Sequence, residues 1–273
     1  MSAISFETLG QERETRARLG LIRTRHGDIQ TPNFVPVATL ASVRALGSDD
    51  LSALGVQCAL ANTYHLHLRP GDELIRRLGG LHSFMAFDGP LFSDSGGFQA
   101  FSMGLGREHN ISKIGCIFPD EVNSPPGQRR RGDGGTGSEN LTRITDDGIY
   151  FRSPTDGAWH FLDAEASMRI QSNLGSDIVM AFDECTSPLS DHAYTRRAME
   201  RTHEWAERSL QSHDRSQAIY GIIQGGWFED LRLESTRFIS SLPFDGIAIG
   251  GSLGNSKHDM HQVLDWVVPL LDE

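Results

Sequence analysis

Asp94 opens the segment Asp94-Ser95-Gly96-Gly97-Phe98-Gln99, where two glycines let the backbone approach a ligand closely, Phe98 offers an aromatic face and Gln99 an amide. A planar heterocycle stacked on Phe98, its polar edge met by Asp94 and by backbone N–H groups, suits that set. From spacing alone, an Asp that caps the following helix reads the same way. Asp183 and Glu184 follow the apolar run Ile178-Val179-Met180-Ala181-Phe182. Carboxylates at the end of a buried strand are costly unless something pairs with them. Asp183 accepting two N–H groups from a guanine-like edge is one solution, and an N-cap is the other. Gln224-Gly225-Gly226 again sets an amide beside open backbone, and Gly250-Gly251 adds bare N–H groups or a tight turn. If the four segments meet, they build a purine-like pocket.

The remaining reactive side chains point less clearly. His65, His67 and His82 lack a ligand spacing such as HExxH, so they read as structural or pocket-lining, and no metal site is expected. Cys185 needs a positioned base to act as a nucleophile, and no residue announces itself as one; it reads as part of the pocket lining.

These residues need elements to position them. Apolar runs fall at 34–37, 56–61, 90–92, 177–182, 218–223 and 246–249, and most are near-continuous, as parallel strands covered on both faces should be. Helical stretches lie between them. Ser48 is placed to cap one, Gly79 to stop another, Ser190 to open a long one, and Ser256 with Asp259 to form a capping box. Strand–helix alternation implies an α/β domain. Two Asp-Gly turns, Asp147-Gly148 and Asp156-Gly157, predict an antiparallel meander over 143–162, and His26-Gly27 a hairpin over 17–33. Each polar segment follows an apolar run, so the polar groups gather at the carboxyl ends of successive strands. No GxGxxG or GxxxxGK[ST] occurs, which favours a TIM (β/α)8-type barrel over a doubly wound sheet. Only about six of the eight units are legible. An open six-unit sheet would expose two edges, so the expectation is a C-terminally incomplete barrel domain spanning 1–273, completed by further chain or by a partner.

Composition bounds the rest. The 273 residues carry 25 basic and 36 acidic side chains, a net charge of −11, with lysine only at Lys113 and Lys257. That balance disfavours non-specific nucleic-acid binding without excluding a local basic surface. The densest basic cluster, Arg129-Arg130-Arg131, sits in the Pro/Gly/Ser-rich stretch 122–140, which reads as a flexible loop. Cys58, Cys116 and Cys185 are far apart, which argues against a disulfide framework or a cysteine-rich zinc site. With no membrane span or signal pattern, the expected setting is cytoplasmic.

The segments TPNFVPVAT, NTYHLHLRPG, LGGLHSFM, SDSGGFQAFS, DIVMAFDEC, YGIIQGGWFEDLR and FDGIAIGGSLG run in order from about residue 16 onward. In them the chain resembles the tRNA-guanine transglycosylases (queuine tRNA-ribosyltransferases). The resemblance implies a TIM barrel and a base exchange in queuosine biosynthesis: guanine leaves the wobble position of a tRNA anticodon and a 7-deazaguanine, preQ1 or queuine, replaces it. It implies that Asp94 is the proton acceptor for the incoming base. Ser95, Gly96, Gly97 and Phe98 then form part of the base pocket, Asp183 and Gln224 read the base edge, and Gly251 contributes a backbone contact. A flipped nucleotide held by stacking and edge hydrogen bonds fits such a pocket.

The family's nucleophilic Asp, and a zinc site of three Cys and a His, follow the segment that matches the end of this chain. The chain alone is therefore expected to bind base poorly, to be inactive or impaired, and to hold no cofactor. Gly254, after Ser252-Leu253, is expected to leave room for a larger base such as queuine. Expected partners are tRNA with a guanine wobble base, the 7-deazaguanine, and a second copy or complementing subunit, without a membrane. Two alternatives stand beside this reading: a non-catalytic partner subunit that binds tRNA or a catalytic homologue, and a relative acting on DNA.

Overall fold

The hairpin expected around His26-Gly27 forms at the start of the chain. β1 (Ser5–Gln11), β2 (Arg18–Thr24) and β3 (Gly27–Thr31) pair antiparallel in that order, with Gly27 at φ +126° closing the β2–β3 turn. β1 carries no apolar signal in the sequence, because nearly all of it is exposed. The computed structural model describes residues 3–101, 142–251 and 256–271. The 122–140 stretch with its arginine cluster, Cys116 and Gly254 all lie outside the described residues.

The six apolar runs supply one parallel sheet. β4 (Val37–Ala38), α1 (Ser48–Ala53) and β5 (Ala59–Ala61) come first, followed by α2 (Thr63–Leu68), α3 (Asp72–Arg77), α4 (Gly80–Met85) and β6 (Leu91–Ser93). The meander of β7 (Thr142–Ile144), β8 (Ile149–Arg152) and β9 (Trp159–Leu162) then leads into α5 (Ala164–Leu174) and β10 (Ile178–Met180). The chain continues through α6 (His192–Ser212), β11 (Ala218–Ile223), α7 (Glu229–Ser241), β12 (Gly246–Ile249) and α8 (Lys257–Val267). The sheet order is β12-β11-β10-β6-β5-β4, all parallel. Several strands are shorter than their apolar runs. Ala181 and Phe182, for example, stay buried beyond the end of β10. Hydrophobicity reports burial there, and burial outlasts strand pairing.

Both faces of the sheet are covered, which explains the continuous runs. Phe92, Ile178 and Ala218, with Leu60, Met180 and Tyr220, pack against Ile29 of β3 and Cys58. On the other face Ala59, Ala61 and Leu91 pack with residues of α3, α4 and α5, and with Trp205 of α6. The meander joins that second core through Ile149, Phe151 and Leu162, and its first turn is tied to α6: Trp205 Nε1 donates to the Asp146 carbonyl at 2.7 Å. Among the described residues β4 pairs only with β5 and β12 only with β11, and Phe34 (83%), Val37 (52%) and Leu40 (54%) are exposed around β4.

Two helix starts differ from the sequence reading. α1 is capped at Gly47, whose N–H is accepted by Asp50 at 2.8 Å, so Ser48 is the first helical residue. α6 is capped by Asp191, which accepts from the Tyr194 N–H at 2.7 Å, because Ser190 is engaged in a turn back to Ser187. Gly79, at φ +97°, stops α3 as expected, and Ser256 accepts from the Asp259 N–H at 3.2 Å. No helix among the described residues is long and apolar enough to cross a membrane.

Candidate active site

Asn62, Asp94, Gln224 and Gly250-Gly251 each directly follow a strand and Asp183 comes two buried residues after β10, so all share the carboxyl edge of the sheet. Asp94 follows β6 and is gripped from the β5 side. Its Oδ2 accepts from the Asn62 amide and from Gln99 Nε2 at 2.7 Å, and its Oδ1 from the Thr63 N–H at 2.8 Å. The bonds from Asn62 and Thr63 cross to the neighbouring strand end, while Gln99 and the Gly96 backbone hold the carboxylate from its own segment, so local helix capping alone does not explain the residue. Burial raises its pKa above the usual carboxylate range, and the bonds from Asn62, Thr63 and Gln99 oppose that rise. The result is a carboxylate of fixed orientation with increased basicity.

Asp183, 6% exposed, follows β10 and draws two neighbours together. Ser95 Oγ donates to its Oδ1 at 2.6 Å and Gln224 Nε2 to its Oδ2 at 2.7 Å. It caps no helix either. Its pKa is pushed up to about 6, first by burial and further by the charges of Asp94 and Glu184, while the bonds from Ser95 and Gln224 pull the other way. Ser95 is held in turn: its carbonyl accepts from Ser167 Oγ at 2.7 Å, and its hydroxyl accepts from the Gly97 N–H at 3.2 Å.

Gln224 is locked in place, its backbone N–H donating to Ser235 Oγ at 3.1 Å. Its Oε1 is buried with no hydrogen-bond partner among the described residues, so the site holds one unused acceptor beside an anionic carboxylate. Such a pair is matched to a ligand edge rich in N–H donors. Phe98, 36% exposed, stays available for stacking.

The glycines form the floor. Gly96 has φ +81° and Gly251 φ +83°. A Cβ on Gly97 would overlap the Asp183 carbonyl oxygen, and one on Gly251 would overlap Gln224 Oε1. Gly251→Ala is therefore expected to destabilise the protein by about 2 kcal/mol, from left-handed strain and from pushing the Gln224 amide off Asp183. Its melting temperature should fall by about 3–8 °C. An unchanged melting curve would show that the amide moves aside freely.

Sequence reasoning missed the partners of three supporting residues. Asn62 stood at a strand end but was not linked to Asp94, although its position there was the available signal. Arg232 resembles any surface arginine of an amphipathic helix, yet it is fully buried and donates to the carbonyls of Gly226 (2.8 Å), Ile223 (3.0 Å) and Gly250 (2.8 Å). Glu184 is also fully buried, bonded to Tyr194 Oη at 2.7 Å and paired with Arg201, which reaches on to Asp146 of the meander turn. Of the histidines, His67 pairs with Asp72 at the start of α3, and His82 meets Asp177 just before β10, at the opposite end of the sheet from the pocket. Cys185 is buried beside Glu184, 7% exposed.

Fold and site together define an α/β protein with two buried carboxylates, an amide and a glycine-lined floor at the carboxyl edge of a parallel sheet. The chain belongs to the queuine tRNA-ribosyltransferase family, whose profile matches residues 13–125 and 134–273. It is 55% identical over 259 residues to a protein of Archaeoglobus fulgidus, covering 94% of this chain and 63% of that one. It is 44% identical over 273 residues to the queuine tRNA-ribosyltransferase of Halothermothrix orenii, 99% of this chain and 64% of the relative. To the Shouchella clausii enzyme of that name it is 42% identical over 278 residues, 100% and 63% respectively. The chain thus spans a little under two thirds of the length of these relatives.

Proposed function

We propose that this chain forms the base-binding part of a tRNA-guanine transglycosylase, a pentosyltransferase that exchanges the wobble guanine of a tRNA for preQ1 or queuine. The observation that carries the reading is the Ser95–Asp183–Gln224 cluster with its unused Oε1, against the backbone of Gly97 and Gly251. A guanine-type edge presents neighbouring N–H groups to the Asp183 carboxylate and to Gln224, Phe98 stacks on the ring, and Gly251 offers a backbone contact. The six parallel strand–helix units are read as part of a (β/α)8 barrel.

In this reading guanine leaves C1′ with the electron pair of its glycosidic bond, and a carboxylate that the resemblance puts beyond residue 273 bonds to C1′. The incoming base then gives its N9 proton to Asp94 as N9 bonds to C1′ and the C1′–carboxylate bond breaks. Asp94, oriented by Asn62, Thr63 and Gln99 and made more basic by burial, suits that transfer. The family's zinc ligands are not supplied by the described cysteines: Cys58 packs among Ile29, Phe92 and Ile178, while Cys185 lies by the pocket. No step here runs through zinc.

The test is incorporation of labelled guanine into tRNA bearing a wobble guanine and, separately, into duplex DNA. It uses the protein at the length its own gene encodes, and the 273-residue chain beside it. Incorporation into tRNA alone, by the gene-length protein, is the expected result. Incorporation into DNA, or into neither nucleic acid by the gene-length protein, overturns the reading.

A further inference from the structure

We propose that His26, His82 and Asp177 form a binding site for a divalent transition metal of the zinc class, at the amino ends of the strands and across the sheet from Asp94 and Asp183. His26 sits in the β2–β3 turn, His82 in α4 and Asp177 immediately before β10. The three come from distant parts of the chain, so no sequence spacing announces them.

The donor atoms of the three side chains all lie within 4.8 Å of one another. His26 Nδ1 is 2.6 Å from Asp177 Oδ1, and His82 Nε2 is 3.1 Å from Asp177 Oδ2. Metal–ligand bonds of about 2.0–2.1 Å at tetrahedral angles set ligands ~3.3 Å apart, so small rotations of the two rings would admit an ion. The imidazoles are already stacked, centroids 3.6 Å apart and planes 25° apart, and both turn a nitrogen toward the same carboxylate. Asp177 Oδ2 also accepts from the Leu91 N–H at 2.9 Å, which leaves Oδ1 as the ligand oxygen and anchors the carboxylate to β6.

Charge argues the same way. The Asp177 side chain is 3% exposed, and among the described residues its ion-pair partners are the two histidines, with no arginine or lysine. The imidazoles and the Leu91 N–H give that buried carboxylate hydrogen bonds, and a divalent cation would add a full balancing charge. The donor set, two nitrogens and one carboxylate oxygen, suits zinc and its neighbours better than magnesium or calcium. His26 is 30% and His82 13% exposed, which leaves an entry path and a place for a water as fourth ligand. A bound ion would tie the N-terminal hairpin and α4 to the base of the sheet, a stabilising role that is independent of base exchange.

The experiment titrates the metal-stripped chain at pH 7.5 with Zn2+ by calorimetry and with Co2+ by visible absorption, neither of which needs tRNA. One equivalent should bind, with the intense Co2+ bands of a tetrahedral site, and Zn2+ should raise the melting temperature by about 5 °C or more. His26→Gln and His82→Gln should each weaken binding at least about 30-fold and remove that rise. His258→Gln, at an exposed position on α8, should bind as the parent does. Because His26 lies in a hairpin turn, its variant remains informative if His82→Gln fails to fold. No binding by the parent up to about 1 mM metal, or binding undiminished in His26→Gln, overturns the proposal.

Discussion

If the proposed base exchange is right, Asp183→Asn in the gene-length protein is expected to lower guanine exchange by about 10²–10³-fold while raising the melting temperature by a few degrees. Both of the carboxylate's partners, Ser95 Oγ and Gln224 Nε2, point donors at it. Asparagine keeps one acceptor oxygen and sets an NH2 against the other donor, so the surface that would meet a base edge loses both its charge and its order. Stability should move the other way. The folded-state pKa is pushed up to about 6 from an ordinary 3.8, so folding favours the protonated form. At neutral pH the ionised group costs roughly 3 kcal/mol, a penalty relieved as pH falls from above 6 toward 4. Asparagine removes that penalty, less about 1–2 kcal/mol for the mismatched donor. Melting curves between pH 5 and 7.5 should therefore show a slope in the parent that the variant lacks. Exchange within about threefold of the parent would sink the assignment of Asp183, and identical slopes would sink the account of its ionisation.

Arg232→Met should cost about 3–5 kcal/mol and lower the melting temperature by about 10 °C. The guanidinium is buried, held down to about 10 by desolvation, and spends its donors on carbonyls at the ends of β11 and β12. Those are the strand ends that carry Gln224 and Gly250-Gly251. Methionine fills the space but strands the carbonyls of Gly226 and Gly250, while that of Ile223 keeps the Gly250 N–H at 3.0 Å. Arg232→Lys keeps the charge but lacks the planar fork that reaches several carbonyls, so it should fall between the two. Thermal melts of both variants decide the matter, and a methionine variant within about 1 kcal/mol of the parent would show that those carbonyls find other donors.

Much of this arrangement is legible in one dimension because its rules are local. Apolar runs followed by Asp, Gln or Gly-Gly mark strand ends, and the two Asp-Gly turns mark the meander. Boundaries are less legible, since Ala181 and Phe182 are as buried as the strand before them. Partnerships formed across the fold leave no local mark. Asn62 meets Asp94 over 32 residues, Gln224 meets Asp183 over 41, and His26 meets Asp177 over 151. Arg232 reads as solvated because an arginine's usual cost of burial hides the case in which backbone carbonyls receive it.

The glycine floor has a consequence for how such a protein can diverge. Where Gly97 abuts the Asp183 carbonyl and Gly251 abuts the Gln224 amide, any added side chain collides before it can touch a ligand. Mutation can damage this floor but cannot retune it. Inherited shifts in which ligand is accepted must instead be sought at positions with room to vary, such as the half-open ring of Phe98, and a saturation scan should find tolerated diversity at that rim over an almost silent floor.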